Sequence, residues 1–86
     1  MSTGPLDYPQ RVPVKVMGDK GDELRAALDR ALARHVAPGT PVDITERESR
    51  AGKYIAYTAT FMAESREQLI AVYTELRRCE AVRFLL

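Results

Sequence analysis

Arg11-Val-Pro-Val-Lys-Val-Met-Gly-Asp-Lys-Gly-Asp22 changes period partway along, and that change decides the fold. Up to Met17, Val12, Val14 and Val16 alternate with Arg11, Pro13 and Lys15, the period of two that a strand with one dry face requires. Pro13 has no N–H to give a ladder. Its nitrogen must face a bulge, an edge or the strand's opening residues, so pairing is expected to start after it. Gly18-Asp-Lys-Gly21 then makes a turn, and Leu24, Ala27, Leu28, Ala31 and Leu32 recur at helical spacing through Glu23 to Val36. Arg34 and His35 fall in the last turn of this helix, where positive charge complements its dipole, and Pro38-Gly39 ends it.

Outward from that core stretch, Pro41 to Glu48 alternates weakly, with Val42 and Ile44 as its apolar members, and reads as a polar edge strand. Glu48 to Lys53 is a hairpin connection centred on Gly52. It leads into Tyr54 to Met62, a central strand whose Ile55, Tyr57, Ala59 and Phe61 are expected to face the helices. Tyr54, Ala56, Thr58 and Thr60 take the other side. Ser65-Arg-Glu-Gln68 fits a capping box, and Leu69, Val72, Tyr73 and Leu76 follow as a second amphipathic helix. Ala81 to Leu86 closes the chain as a strand, with Val82, Phe84 and Leu86 expected inward and Arg83 outward. The order β-α-β-β-α-β, with right-handed crossovers, predicts an α+β fold: a ferredoxin-like two-layer sandwich, antiparallel sheet order 4-1-3-2, both helices on one face. Residues 11–86 form one domain in this reading, and Met1 to Gln10, with Gly4, Pro5 and Pro9, forms a flexible N-terminal arm.

Eighty-six residues leave room for one core, and 45% hydrophobic with 29% charged residues is a globular composition rather than a disordered one. Thirteen Lys and Arg against twelve Asp and Glu give a net charge of +1, too little to draw in a polyanion, so nucleic acid is not the expected partner. The single cysteine, Cys79, excludes an internal disulfide, and no apolar run reaches signal-peptide or membrane-spanning length. The cytoplasm is the expected compartment, with no membrane contact.

The residues that carry catalysis are missing as a set. A Ser-His-Asp or Cys-His centre needs a histidine base, and the one histidine, His35, sits at a helix end. One Cys and one His in different elements do not make a zinc site, so no metal and no cofactor is expected. Cys79 reads as a small packing residue and not a redox centre. Asp22, Asp29, Glu67 and Glu75 read as a solvated carboxylate face. Small ferredoxin-like enzymes of the acylphosphatase type rely on an Asn and an Arg, and this chain has no asparagine. RNA-recognition domains of the same topology stack bases on aromatics two residues apart on the open face. Here Tyr54 and Tyr57 are three apart and fall on opposite faces. The chain is read as a non-catalytic regulatory or ligand-sensing domain, with a protein-interaction module without a small ligand, or a weak RNA binder using Lys15 and Arg83, as the alternatives.

At Val14-Lys-Val-Met-Gly18 the sequence resembles the YbeD-like family of small bacterial proteins. Arg34-His35, Ala37-Pro-Gly39, Gly52-Lys-Tyr54, Thr58-Ala-Thr60, Leu76, and Val82-Arg83 near Leu86 follow in the order that family shows. The likeness runs from about Tyr8 to the end, and the segment between Gly39 and Gly52 departs from it in length and charge. The resemblance implies a ferredoxin-like fold similar to the ACT-type regulatory domains that bind amino acids in allosteric enzymes. It also implies, by gene neighbourhood with lipoate-attachment enzymes, a regulatory role near lipoate metabolism.

Two groups of residues are the candidate sites. Gly18, Asp19, Lys20, Gly21 and Asp22 form the turn where the first helix presents unpaired N–H groups to a small carboxylate or amino-acid ligand, as the corresponding loop of ACT-type domains does. Lys15, Thr58, Thr60 and Arg83 share the open sheet face, which also carries Met17, Ala56 and Leu85; self-association through this face or a sheet edge is expected, and a partner enzyme is a further expected contact.

Overall fold

The alternation at residues 11–17 folds as part of β1, Gln10–Asp19, in a computed structural model that describes residues 7–86. It is followed by α1 (Asp22–His35), β2 (Val42–Glu48), β3 (Tyr54–Ala63), α2 (Arg66–Arg77) and β4 (Val82–Leu85). The four strands are antiparallel in the order β2-β3-β1-β4, the expected order read from the other edge. β1 and β3 form the spine, in register from Gln10 opposite Ala63 to Asp19 opposite Tyr54.

That ladder runs straight through Pro13, which pairs with Thr60, so pairing does not wait until after the proline. The reason is parity. Lys15 accepts a hydrogen bond from Leu86 N–H and Asp19 donates one to Ala81, so the odd-numbered residues of β1 aim their backbone polar groups toward β4. Pro13 shares that parity and lies past the end of β4, where no ladder needs its missing donor.

Val14 and Val16 from β1, and Ile55, Tyr57, Ala59 and Phe61 from β3, make the buried face of the sheet. Leu24, Ala27, Leu28, Ala31 and Leu32 of α1, with Val72 and Leu76 of α2, cover it. α1 ends where Val36 turns extended, its N–H still bonded to the Leu32 carbonyl at 2.9 Å. α2 starts at Ser65, whose hydroxyl accepts from the Gln68 N–H at 3.1 Å. The Gln68 side chain accepts in return from Glu64 N–H at 2.8 Å, one residue further back than an ordinary capping box.

Two boundaries need correction. Gln10 belongs to β1 and Tyr8 packs on the core, so the expected arm over residues 1–10 does not reach that far; residues 1–6 lie outside the described residues. The second correction lies in β4. Val82 pairs with Gly18, but Phe84 pairs with Met17 and Leu85 with Val16, so Arg83 is an extra residue in a bulge. The bulge reverses the parity beyond it. Phe84, expected in the core, is 59% exposed, and Leu86, also expected inward, is 75% exposed. Leu85, expected outward, packs against the core instead.

Candidate functional site

Of the five turn residues, Gly18 is removed from any ligand. It is buried, and a Cβ there would meet the Ala81 carbonyl oxygen at 2.1 Å and Leu24 at 3.2 Å. It is a glycine so that β1 and the entry to β4 can approach closely. Asp19 is clamped by Arg83: Nε donates to Oδ1 at 3.0 Å and Nη2 to Oδ2 at 2.9 Å. This fork holds the Asp19 carboxyl below its ordinary value and raises Arg83, with desolvation opposing in part. Lys20 Nζ lies 3.1 Å from Glu48 of β2.

Gly21 and Asp22 remain open. Gly21 is the N-cap of α1 with φ 147° and ψ −175°, no side chain caps it, and a Cβ placed there would touch nothing within 4 Å. The first N–H groups of α1 therefore face a cleft of about 400 Å³ lined by Asp19, Lys20, Gly21, Asp22, Glu23, Glu80, Ala81 and Arg83. Asp22 and Glu23 sit where a helix dipole favours acids. Glu23 and Glu80 were not legible as site residues, because Glu80 arrives through the β4 connection and only the folded chain brings it to the turn. The acidic rim gives the cleft its character: Lys20 and Arg83 are occupied by ion pairs, while Asp22, Glu23 and Glu80 have no ion pair among the described residues, Glu23 accepting only from the Cys79 thiol at 3.9 Å.

On the open face, strand register sets out rows. Arg47, Ala56, Met17 and Phe84 form one row across all four strands. Thr45, Thr58 and Lys15 form the next, extended by Leu86 N–H on the Lys15 carbonyl, and Asp43, Thr60 and Pro13 a third. Lys15, Thr58 and Thr60 thus share this face, while Arg83 stands at its corner holding Asp19. Arg47, Ala56 and Met17 of the first row, with Thr45, Thr58, Lys15 and Leu86 of the second, line a groove of about 480 Å³. Four of the five large hydrophobics most exposed among the described residues lie here: Tyr54, Met62, Phe84 and Leu86. Tyr57 is buried beneath, with the Arg25 guanidinium 5.6 Å from its ring centre.

Glu75 departs from the solvated face expected of it. Its side chain is 13% exposed between the helices, with His35 Nε2 at 3.3 Å and Arg34 at 3.4 Å. A carboxylate only accepts, so the hydrogen of that bond rides on His35 Nε2. The neighbouring Gln68 side chain donates to the His35 carbonyl at 3.0 Å. The His35 hydrogen bond first, then the Arg34 charge, hold the Glu75 carboxyl below its ordinary value. A depressed carboxyl contributes stability above its unfolded value, and that contribution is lost as pH falls through the lower folded one. Thermal midpoints followed from neutral pH to pH below 4 should fall, and Glu75→Gln should flatten the drop; an unchanged slope in the variant would refute the pairing. Among the described residues no group of three or more His, Cys, Asp or Glu is arranged to hold a metal ion, and no helix is long and apolar enough to cross a membrane.

A family model described as a protein of unknown function (DUF493) matches residues 4–86. The chain is 32% identical over 81 residues to a UPF0250 protein of Chromobacterium violaceum, covering 94% of this chain and 91% of the relative. It is 35% identical to a UPF0250 protein of Leptothrix cholodnii, covering 94% and 89%. Among solved structures it is similar to HP0495 of Helicobacter pylori, with a TM-score of 0.78 at 13% identity over 98% of this chain and 88% of that one. It is also similar to the ACT domain from the GTP pyrophosphokinase of Chlorobium tepidum, with a TM-score of 0.66 at 9% identity over 88% and 94%. Both likenesses concern the fold.

Proposed function

This chain belongs to the DUF493 family of UPF0250 proteins, and from that premise we propose that it is a cytoplasmic regulatory domain that senses a small zwitterion and performs no catalysis. The observation that carries the reading is the cleft at the start of α1, where helix N–H groups without a side-chain cap sit beside three carboxylates that have no ion pair among the described residues. The N–H groups suit a ligand carboxylate, and Asp22, Glu23 and Glu80 suit an ammonium group. An amino acid carries both. Lipoate and octanoate carry only the carboxylate, and their chains find little apolar wall beyond Ala81, so a link to lipoate metabolism would run through a partner enzyme rather than through this cleft. The likeness to an ACT domain supports the reading at the level of fold.

A thermal-shift screen with the amino acids, lipoate and octanoate tests it. A ligand at 100 times its Kd adds about 2.7 kcal/mol, which raises the Tm of a domain this size by roughly 10 °C or more. Gly21→Val is a poor locating variant, because φ 147° strains any side chain regardless of space. Asp22→Asn is the better one: it should leave the free Tm nearly unchanged and diminish the ligand shift. If no amino acid moves the midpoint, the sensing reading fails.

A second reading, contact with another protein through the open face, is favoured by the exposed Phe84 that the β4 bulge turns outward.

A further inference from the structure

The geometry points to a second copy of this chain as the occupant of the open sheet face, packed face to face about a two-fold axis that runs along the strands. This inference stands apart from the ligand cleft. It starts from the row Arg47, Ala56, Met17, Phe84, which crosses β2, β3, β1 and β4 in that order. A two-fold axis parallel to the strands reverses strand order while keeping height along them, so the row meets its own reverse. Arg47 then lies over Phe84 of the second copy, and Ala56 over Met17.

Each of those encounters joins unlike and complementary groups. Phe84 offers an exposed ring, and Arg47 is an exposed guanidinium with no ion pair among the described residues. A cation over an aromatic ring is attractive, and more so once desolvated. Ala56 leaves a hollow that the flexible Met17 side chain fills. The neighbouring row brings Lys15 over Thr58, and the far corner brings Tyr54 over Asp19, whose carboxylate retains lone pairs beyond the two used by Arg83. No like charges lie directly opposite one another in these three rows; the two Lys15 stand diagonally about the axis, where their flexible stems carry the ammonium groups apart. The alternative axis across the strands, centred on the same row, would set Arg47 on Arg47 and is disfavoured for that reason. Aligned packing of two sheets, about 10 Å apart and rotated by roughly 30°, accommodates the first arrangement.

The test is the mass in solution. Light scattering at high micromolar concentration should give twice 9.6 kDa for the parent chain. Phe84→Arg places a guanidinium opposite Arg47 of the other copy and should halve that mass, while the exposed position leaves the monomer folded by circular dichroism. Combining it with Arg47→Glu restores opposite charges across the axis and should restore the dimer. A monomeric parent overturns the proposal, including one that binds single-stranded RNA on the face instead. A Phe84→Arg variant that stays dimeric also overturns it and moves the interface elsewhere, such as the β2 edge. A double variant that remains monomeric overturns the axis along the strands.

Discussion

Gly18→Ala is expected to lower the thermal midpoint by roughly 8 °C or more, at 4–8 °C per kcal/mol for a domain of this size. The added methyl would sit 2.1 Å from the Ala81 carbonyl oxygen and 2.9 Å from its carbon, and both are backbone atoms that cannot rotate away. To admit it, the entry to β4 must retreat from β1. That retreat strains the bond from Asp19 N–H to the same carbonyl, now 2.9 Å. Overpacking costs about 1–3 kcal/mol and a lost hydrogen bond about 1 kcal/mol more. Gly52→Ala makes the informative control, because its φ of 74° carries strain of roughly 1–2 kcal/mol but its Cβ meets nothing. Differential scanning calorimetry on the two variants decides the matter; equal losses would mean that the approach of Ala81 is not what requires a glycine at position 18.

The two phenylalanines should behave oppositely. Phe61→Ala removes a fully buried ring from the centre of β3 and should cost about 3–5 kcal/mol, a large part of the stability of so small a domain. Its midpoint should fall by roughly 12 °C at the least. Phe84→Ala removes a ring that is 59% exposed and should stay within about 0.5 kcal/mol in dilute solution. Urea titration of both variants at low concentration measures the difference. A loss at Phe84 comparable to that at Phe61 would show that β4 runs without its bulge.

That contrast marks where the reading of residues alone runs out. Val14, Val16, Ile55, Tyr57 and Phe61 were legible as core because β1 and β3 are long enough for alternation to be unambiguous, and the helices were legible from leucine spacing. β4 has four residues, and one extra residue at Arg83 reverses the parity of everything beyond it. Alternation carries no trace of a bulge. Glu75 reads as solvated because its helical position falls on the outward face; Arg34 and His35 reach it from α1, some forty residues away. Gly18 reads as a turn residue by its type, whereas its reason is the Ala81 carbonyl, visible only once β4 is laid against β1. The open residues of the candidate cleft, Gly21 and Asp22, were legible from turn chemistry. Glu23 and Glu80 were not.

The position of β1 at the centre of the sheet also sets a timetable for synthesis. Its ten residues are made before either of their partners, so each flank waits for a distant strand, first β3 and then Val82–Leu85. A nascent chain that has made only β1 and α1 has the apolar face of α1 and the valines of β1 but no β3 to pair beside β1. Such non-local pairing slows folding relative to helical proteins of equal length. The sandwich therefore closes only after residues 82–85 are released, and until then Pro13, which cannot donate along one flank of β1, weakens that flank as a template for pairing with neighbouring chains.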